Sequence, residues 1–126
     1  MNMAVDMELK KAFQELSLQV VATREKVREI EGQHEATKRN TIRASITSQS
    51  LATLADPERT RTWESHGRIF VLRPREVLAA KLATAIAEGE RRLKELEANK
   101  AYQLTKLAES EKNIREMVTA KQNASK

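Results

Sequence analysis

Few residues in this chain could do covalent or metal chemistry. It holds two histidines, His34 and His66, and no cysteine, which excludes a thiolate nucleophile, a disulfide and a thiolate-held zinc. A histidine serves as a base or a metal ligand only beside a nucleophile or further ligands. Here His34 falls on an apolar heptad seam and His66 in a Ser-His-Gly cluster, and neither has such company nearby in the sequence. None of Gly32, Gly67 and Gly89 opens a phosphate-cradling loop, and no glycine is followed by Lys-Ser or Lys-Thr. The expectation is no catalytic residue, no metal and no cofactor, which leaves binding.

Two groups of apolar residues are candidates for it. The first is Met3, Val5, Met7, Leu9 and Phe13 near the N-terminus with Ile114, Met117 and Val118 near the C-terminus; all four methionines, Met1 included, lie in these two stretches. Methionine is flexible and polarizable and suits a surface that takes varied apolar partners. A second reading stays open, in which Met1 is the initiator and Leu9, Phe13, Ile114 and Met117 are ordinary seam residues. The other group lies in the stretch Trp63 to Leu72, which ends in the uninterrupted apolar run Ile69-Phe70-Val71-Leu72.

The elements that must position these groups follow from periodicity. From Leu9 the positions Leu9, Phe13, Leu16, Val20, Thr23, Val27, Ile30, His34, Thr37, Thr41 and Ala44 are alternately four and three apart, the seam of a coiled-coil helix. Leu82, Ile86, Gly89, Leu93, Leu96, Lys100, Gln103, Leu107, Ser110, Ile114 and Met117 repeat it. Folding the second helix back on the first pairs Phe13 with Met117, Leu16 with Ile114, Thr23 with Leu107, Thr37 with Leu93 and Thr41 with Gly89. The weakest layers are then Val27 facing Gln103 and Ile30 facing Lys100.

Between the helices, two β-rich runs flank Glu64-Ser65-His66-Gly67 and read as a hairpin over about 59–73, stopped by Pro74. The first helix covers about 6–55, with a break allowed near its end ahead of Asp56-Pro57. The second covers 75–120, and 121–126 form a frayed polar tail. The fold class is mainly α: a long antiparallel two-helix coiled coil joined by a β-hairpin. An isolated hairpin is marginal in water, and its second strand is apolar on both faces. Pairing of several hairpins into a shared sheet or barrel would cover it, making Trp63, Gly67, Arg68, Ile69, Phe70, Val71 and Leu72 the oligomerisation residues.

The composition agrees. The chain is 33% charged and 3% aromatic, with net charge +5 from 23 basic and 18 acidic residues, so partners must cover what a small core cannot. No apolar run exceeds four residues, which gives no membrane span or secretory segment and makes the cytoplasm the expected location.

The motif Val5-Asp6-Met7-Glu8-Leu9-Lys10-Lys11-Ala12-Phe13, the strand Gly67-Arg68-Ile69-Phe70-Val71-Leu72 preceded by Trp63, and the closing Asn113-Ile114-Arg115-Glu116-Met117 occur in one order across nearly the whole chain. Together they resemble the beta-type subunits of the prefoldin family. The resemblance implies a hexamer of two alpha-type and four beta-type prefoldin subunits, with the hairpins forming a double β-barrel. It implies ATP-independent capture of unfolded actin and tubulin at apolar coiled-coil tips and delivery to the cytosolic chaperonin. Client contacts would fall on Met7, Leu9, Phe13, Ile114 and Met117, and assembly contacts on Trp63 and Ile69 to Leu72. Trp63 stands where the family usually has tyrosine, and the approach to the hairpin, with Pro57, is longer. Two other classes remain: a coiled-coil adaptor for one folded partner, and a nucleic-acid binder using Arg59, Arg61, Arg68, Arg73 and Arg75, against which the mixed charge of the chain argues.

Overall fold

The computed structural model describes residues 3–56 and 58–124, with side chains from residue 7 onward. Along the chain run helix α1 (Met3–Ala52), strands β1 (Thr62–His66) and β2 (Ile69–Arg73), and helix α2 (Arg75–Ala124). Both helices are dense in Ala, Leu, Glu, Lys, Arg and Gln and have no internal proline, which favours unbroken helix. α1 is continuous, with no break, and α2 carries helix through Ala124, beyond the expected start of fraying at 121.

The end of α1 is closed by several contacts. The Thr53 amide donates to the Gln49 carbonyl at 3.2 Å, and its hydroxyl donates to the Ser50 carbonyl at 3.0 Å. Arg75, the first residue of α2, reaches back so that Nη2 donates to the Ala52 carbonyl at 3.0 Å. These partners occupy carbonyls that a helix end leaves open. Asp56, just before Pro57, has a φ of 53°, a left-handed conformation that an aspartate tolerates better than most residues. At the other side of the hairpin, the Pro74 carbonyl accepts from Val77 and Leu78 at 3.1 and 3.2 Å, opening α2.

The chain divides into two compact units, one of Met1–Gly32 with Leu96–Lys126 and one of Gln33–Glu95. In the first, Thr23 and Leu107 line one groove and Glu31 pairs with Lys100 at 3.0 Å. Ascending numbers on α1 therefore meet descending numbers on α2, and the helices are antiparallel. In the second, Gln33 accepts from Arg92 at 3.3 Å, Thr41 meets Gly89, and Thr47 and Leu51 line a groove with Leu78 and Leu82, again antiparallel. The expected layers Thr23 with Leu107 and Thr41 with Gly89 are both present. At Gly89 the close approach is the reason for the glycine: a β-carbon there would collide with the Thr41 hydroxyl and lie 3.1 Å from its Cβ.

Three features differ from the expected seam. The half-buried positions run Leu9, Ala12, Leu16, Val20 and Thr23, with Phe13 45% exposed; on α2 they run Ser110, Ile114, Val118 and Lys121, with Met117 also exposed. Each helix thus takes two four-residue steps at this level, and Ala12 and Val118 replace Phe13 and Met117 on the seam. An α-helix turns every 3.6 residues rather than 3.5, so a straight pair sheds a heptad stripe this way. Second, the seam does not fade after Ala44, since Ser48 and Leu51 are also half-buried. Third, one of the two layers expected to be weakest holds one of the two best-covered side chains. Ile30 and Leu96, at 7% and 2% exposure, are the two buried side chains among the described residues. Lys100 turns its amine out to Glu31 and keeps its stem along the seam, as long cationic side chains do.

Candidate functional site

β1 and β2 form a two-stranded antiparallel sheet with the register Thr62↔Arg73, Trp63↔Leu72, Glu64↔Val71, Ser65↔Phe70 and His66↔Ile69. The turn is the two-residue loop Gly67-Arg68, not Glu64 to Gly67: Glu64, Ser65 and His66 belong to β1. Gly67 has a φ of 63°, and a glycine at the first turn position allows the backbone twist that a tight hairpin requires. Polar Glu-Ser-His hid the strand because its outward and inward residues are both hydrophilic.

Period-two alternation splits the hairpin into two faces. Trp63 and Leu72 stand opposite each other on one face, with Phe70 beside them, and all three are exposed, Phe70 at 68%. On the other face Thr62, Glu64, Val71 and Arg73 are half-buried. The inner face is held mainly by ions. Lys81 of α2 donates to both Glu64 oxygens at 3.0 Å, His66 Nε2 lies 3.0 Å from Glu64 Oε1, and Arg73 Nε lies 3.6 Å from Oε2. The hydrogen bond from Lys81 is the main cause that holds the Glu64 carboxyl below the usual glutamate range; the charges of Lys81, His66 and Arg73 add to it, and partial burial opposes them. One carboxylate thus ties both strands to α2; Trp63 borders a groove lined by Thr47, Leu51, Leu78 and Leu82, and Phe70 and Leu72 stay exposed. Both strands also keep an unpaired edge.

The other candidates lie on the helices of the first unit. Met7, Phe13 and Met117 are exposed, while Leu9, Ile114 and Val118 are half-buried on the seam. Met3 and Val5 belong to α1, but their side chains lie outside the described residues, as does Met1. Sequence reasoning missed Leu18 and Val21, which are strongly exposed, Leu18 at 72%. A pair of apolar residues three apart and off the heptad seam was the available signal.

The five arginines around the hairpin have different fates. Arg59 pairs with Asp56 at 3.5 Å, Arg73 faces Glu64, and Arg75 binds the Ala52 carbonyl. Arg61 and Arg68 are exposed and make no ion pair among the described residues. His34 is half-buried on the seam. Among the described residues no three His, Asp or Glu side chains gather as a metal site, and no helix is long and apolar enough to cross a membrane.

Two long helices joined by a hairpin are the fold of the prefoldin beta subunit from Thermococcus strain KS-1, which superposes with a TM-score of 0.70 over 86% of this chain and 90% of that one, at 17% identity. The family model described as Prefoldin subunit matches residues 8–121. Prefoldin subunit 1 of Homo sapiens is 38% identical over 117 residues, covering 93% of this chain and 94% of that protein. Prefoldin subunit 1 of Arabidopsis thaliana is 31% identical over 107 residues, 85% and 82% of the two chains. The chain belongs to the prefoldin subunit family, a chaperone family rather than an enzyme family, whose members act as subunits of an oligomeric complex.

Proposed function

We propose that this chain is a beta-type subunit of a cytoplasmic hetero-hexamer of alpha-type and beta-type prefoldin subunits, which captures unfolded actin and tubulin without ATP and passes them to the cytosolic chaperonin. The observation that carries the reading is the outer face of the hairpin. Trp63, Phe70 and Leu72 form an exposed apolar patch on a sheet with two open edges, fixed to α2 from behind through Glu64. Each such side chain gains about 1.5 to 3 kcal/mol on full burial, so a neighbouring hairpin that covers the patch is strongly favoured. Gly67 and Arg68 set the turn, and Ile69 and Val71 complete the strand that joins the assembly.

Clients would be held by Met7, Leu9, Phe13, Ile114, Met117 and Val118, with Met3 and Val5 extending the same helix. Each contact is weak, and several chains gripping one client gain through effective concentration. The test has two parts. A tagged chain recovered from its own cells is expected, by native mass spectrometry, in a hexamer with five other small coiled-coil chains; a monomer or homodimer would refute the assembly. Removal of residues 1–7 is expected to leave the hexamer intact and to weaken suppression of actin aggregation. Undiminished suppression would refute the client site.

A further inference from the structure

We infer that the hairpin selects its neighbour by charge: arginines around its apolar face receive carboxylates from an acidic strand of an adjoining subunit and repel a second copy of this chain. The inference rests on the hairpin being the assembly element.

The basic residues are unevenly sorted. The Gln33–Glu95 unit holds twelve Lys and Arg against eight Asp and Glu, and nine of the twelve are arginine. The other unit holds eleven against ten, and only three of the eleven are arginine. Arginine, with its planar fork of donors, is the cation suited to a partly dry interface, whereas lysine is depleted there. From residue 59 to 75 every basic residue other than His66 is an arginine.

Three of these arginines converge. Arg61, Arg73 and Arg75 line one open groove of about 470 Å³ at the base of the hairpin, with Leu72 and Glu76 in the same wall. Within the chain their charge is poorly matched. Glu64 is shared among Arg73, Lys81 and His66, Arg75 is held by a neutral carbonyl, Arg61 pairs with no carboxylate among the described residues, and Glu76 is the single acidic residue lining the groove beside three arginines. Arg68 at the turn is exposed and unpaired among the described residues. A strand that covers Trp63, Phe70 and Leu72 therefore meets uncompensated guanidinium groups on the way in. Carboxylates at its rim would form charge-assisted, bidentate contacts, and a second copy of this hairpin would bring like charges together. Nucleic acid would satisfy the arginines but would leave the apolar face wet, so the two features together favour an acidic protein strand.

The experiment follows association of the full chain with the other subunits of its complex at low and high salt, alongside native mass spectrometry of the chain alone. Wild type is expected to stay monomeric alone and to associate roughly tenfold or more faster at low salt than at high salt. The double variant Arg61→Glu/Arg68→Glu, which changes two exposed residues, is expected to keep its helical signal, lose that acceleration and pair with wild-type copies. An unchanged rate and salt response in the double variant overturns the inference, as does self-association of wild type at low salt. So does a steeply salt-dependent affinity for a single-stranded oligonucleotide that the double variant loses while subunit association stays intact. Phe70→Asp separates the two readings. If it assembles normally, the hairpin is not the assembly element and both fall; if it fails while the arginine variant behaves as wild type, only the charge selection falls.

Discussion

The outer face of the hairpin and the exposed side chains of the first unit both leave apolar residues in water, on very different supports. Trp63, Phe70 and Leu72 stand on paired strands in a fixed register, and Glu64 anchors that sheet to Lys81 from behind. Two of the three are aromatic rings with little rotamer freedom to lose. Met7, Phe13, Leu18 and Met117 instead stand singly on helix surfaces, next to a seam that is half-buried. A rigid, contiguous patch suits one complementary partner, because little entropy is lost when it docks. Scattered, flexible side chains suit many partners weakly. Under the proposed function, the difference suits the first region to permanent assembly and the second to transient capture.

The sharpest way to break that contrast is at Phe70. Phe70→Asp places a charge at the centre of the proposed contact, and the expected outcome is complete loss of the hexamer by native mass spectrometry, with the helical circular dichroism of the chain retained. A hexamer that survives would erase the distinction between the regions.

Next in size is the seam itself. Leu96 is the best-buried side chain described, so Leu96→Ala should cost about 2 to 5 kcal/mol in stability, read from denaturant unfolding of the assembled protein. Phe13→Ala, although it removes a larger side chain, should cost well under half as much, because that ring is already partly in water. Equal costs would return Phe13 to the seam.

Gly89→Ala should destabilise by up to about 2 kcal/mol net, because overpacking against Thr41 costs about 1 to 3 kcal/mol and the alanine regains roughly 1 kcal/mol over glycine in a helix. Thr41→Ala in the same chain removes the hydroxyl that collides and should recover part of the loss, leaving the Cβ contact. A double-mutant cycle showing no coupling would contradict the close approach.

The smallest effect concerns pH. Because the Glu64 carboxyl titrates below the 4.5 of a free glutamate, the unfolded chain takes up its proton first as pH falls. Its contribution to stability is complete above about pH 4.5 and disappears as pH drops through the lowered value. Other carboxylates titrate in the same range, so the readout is the difference between wild type and Glu64→Gln: melting temperatures that diverge above that window and converge below it.

Much of the fold was legible in the chain. Heptad spacing located both helices, and Gly67 with the run Ile69 to Leu72 located the hairpin, because both signals are local periodicities of apolar side chains. The layers Thr23 with Leu107 and Thr41 with Gly89 followed from folding one seam on the other. Strand β1 was harder, since Glu64, Ser65 and His66 carry no apolar alternation and are strand only because β2 and Lys81 hold them.

By itself, then, the sequence determined the two helices and the hairpin, which depend on residue type and spacing along one chain. Only the tertiary structure decided that Ala12 and Val118 displace Phe13 and Met117 from the seam, that Leu18 and Val21 are bare, and that Glu64 gathers His66, Arg73 and Lys81 from β1, β2 and α2. Those outcomes depend on helix phase and on distances between residues far apart in the chain. Seam drift is the difference between 3.5 and 3.6 residues per turn, and it becomes visible only when two helices are laid side by side.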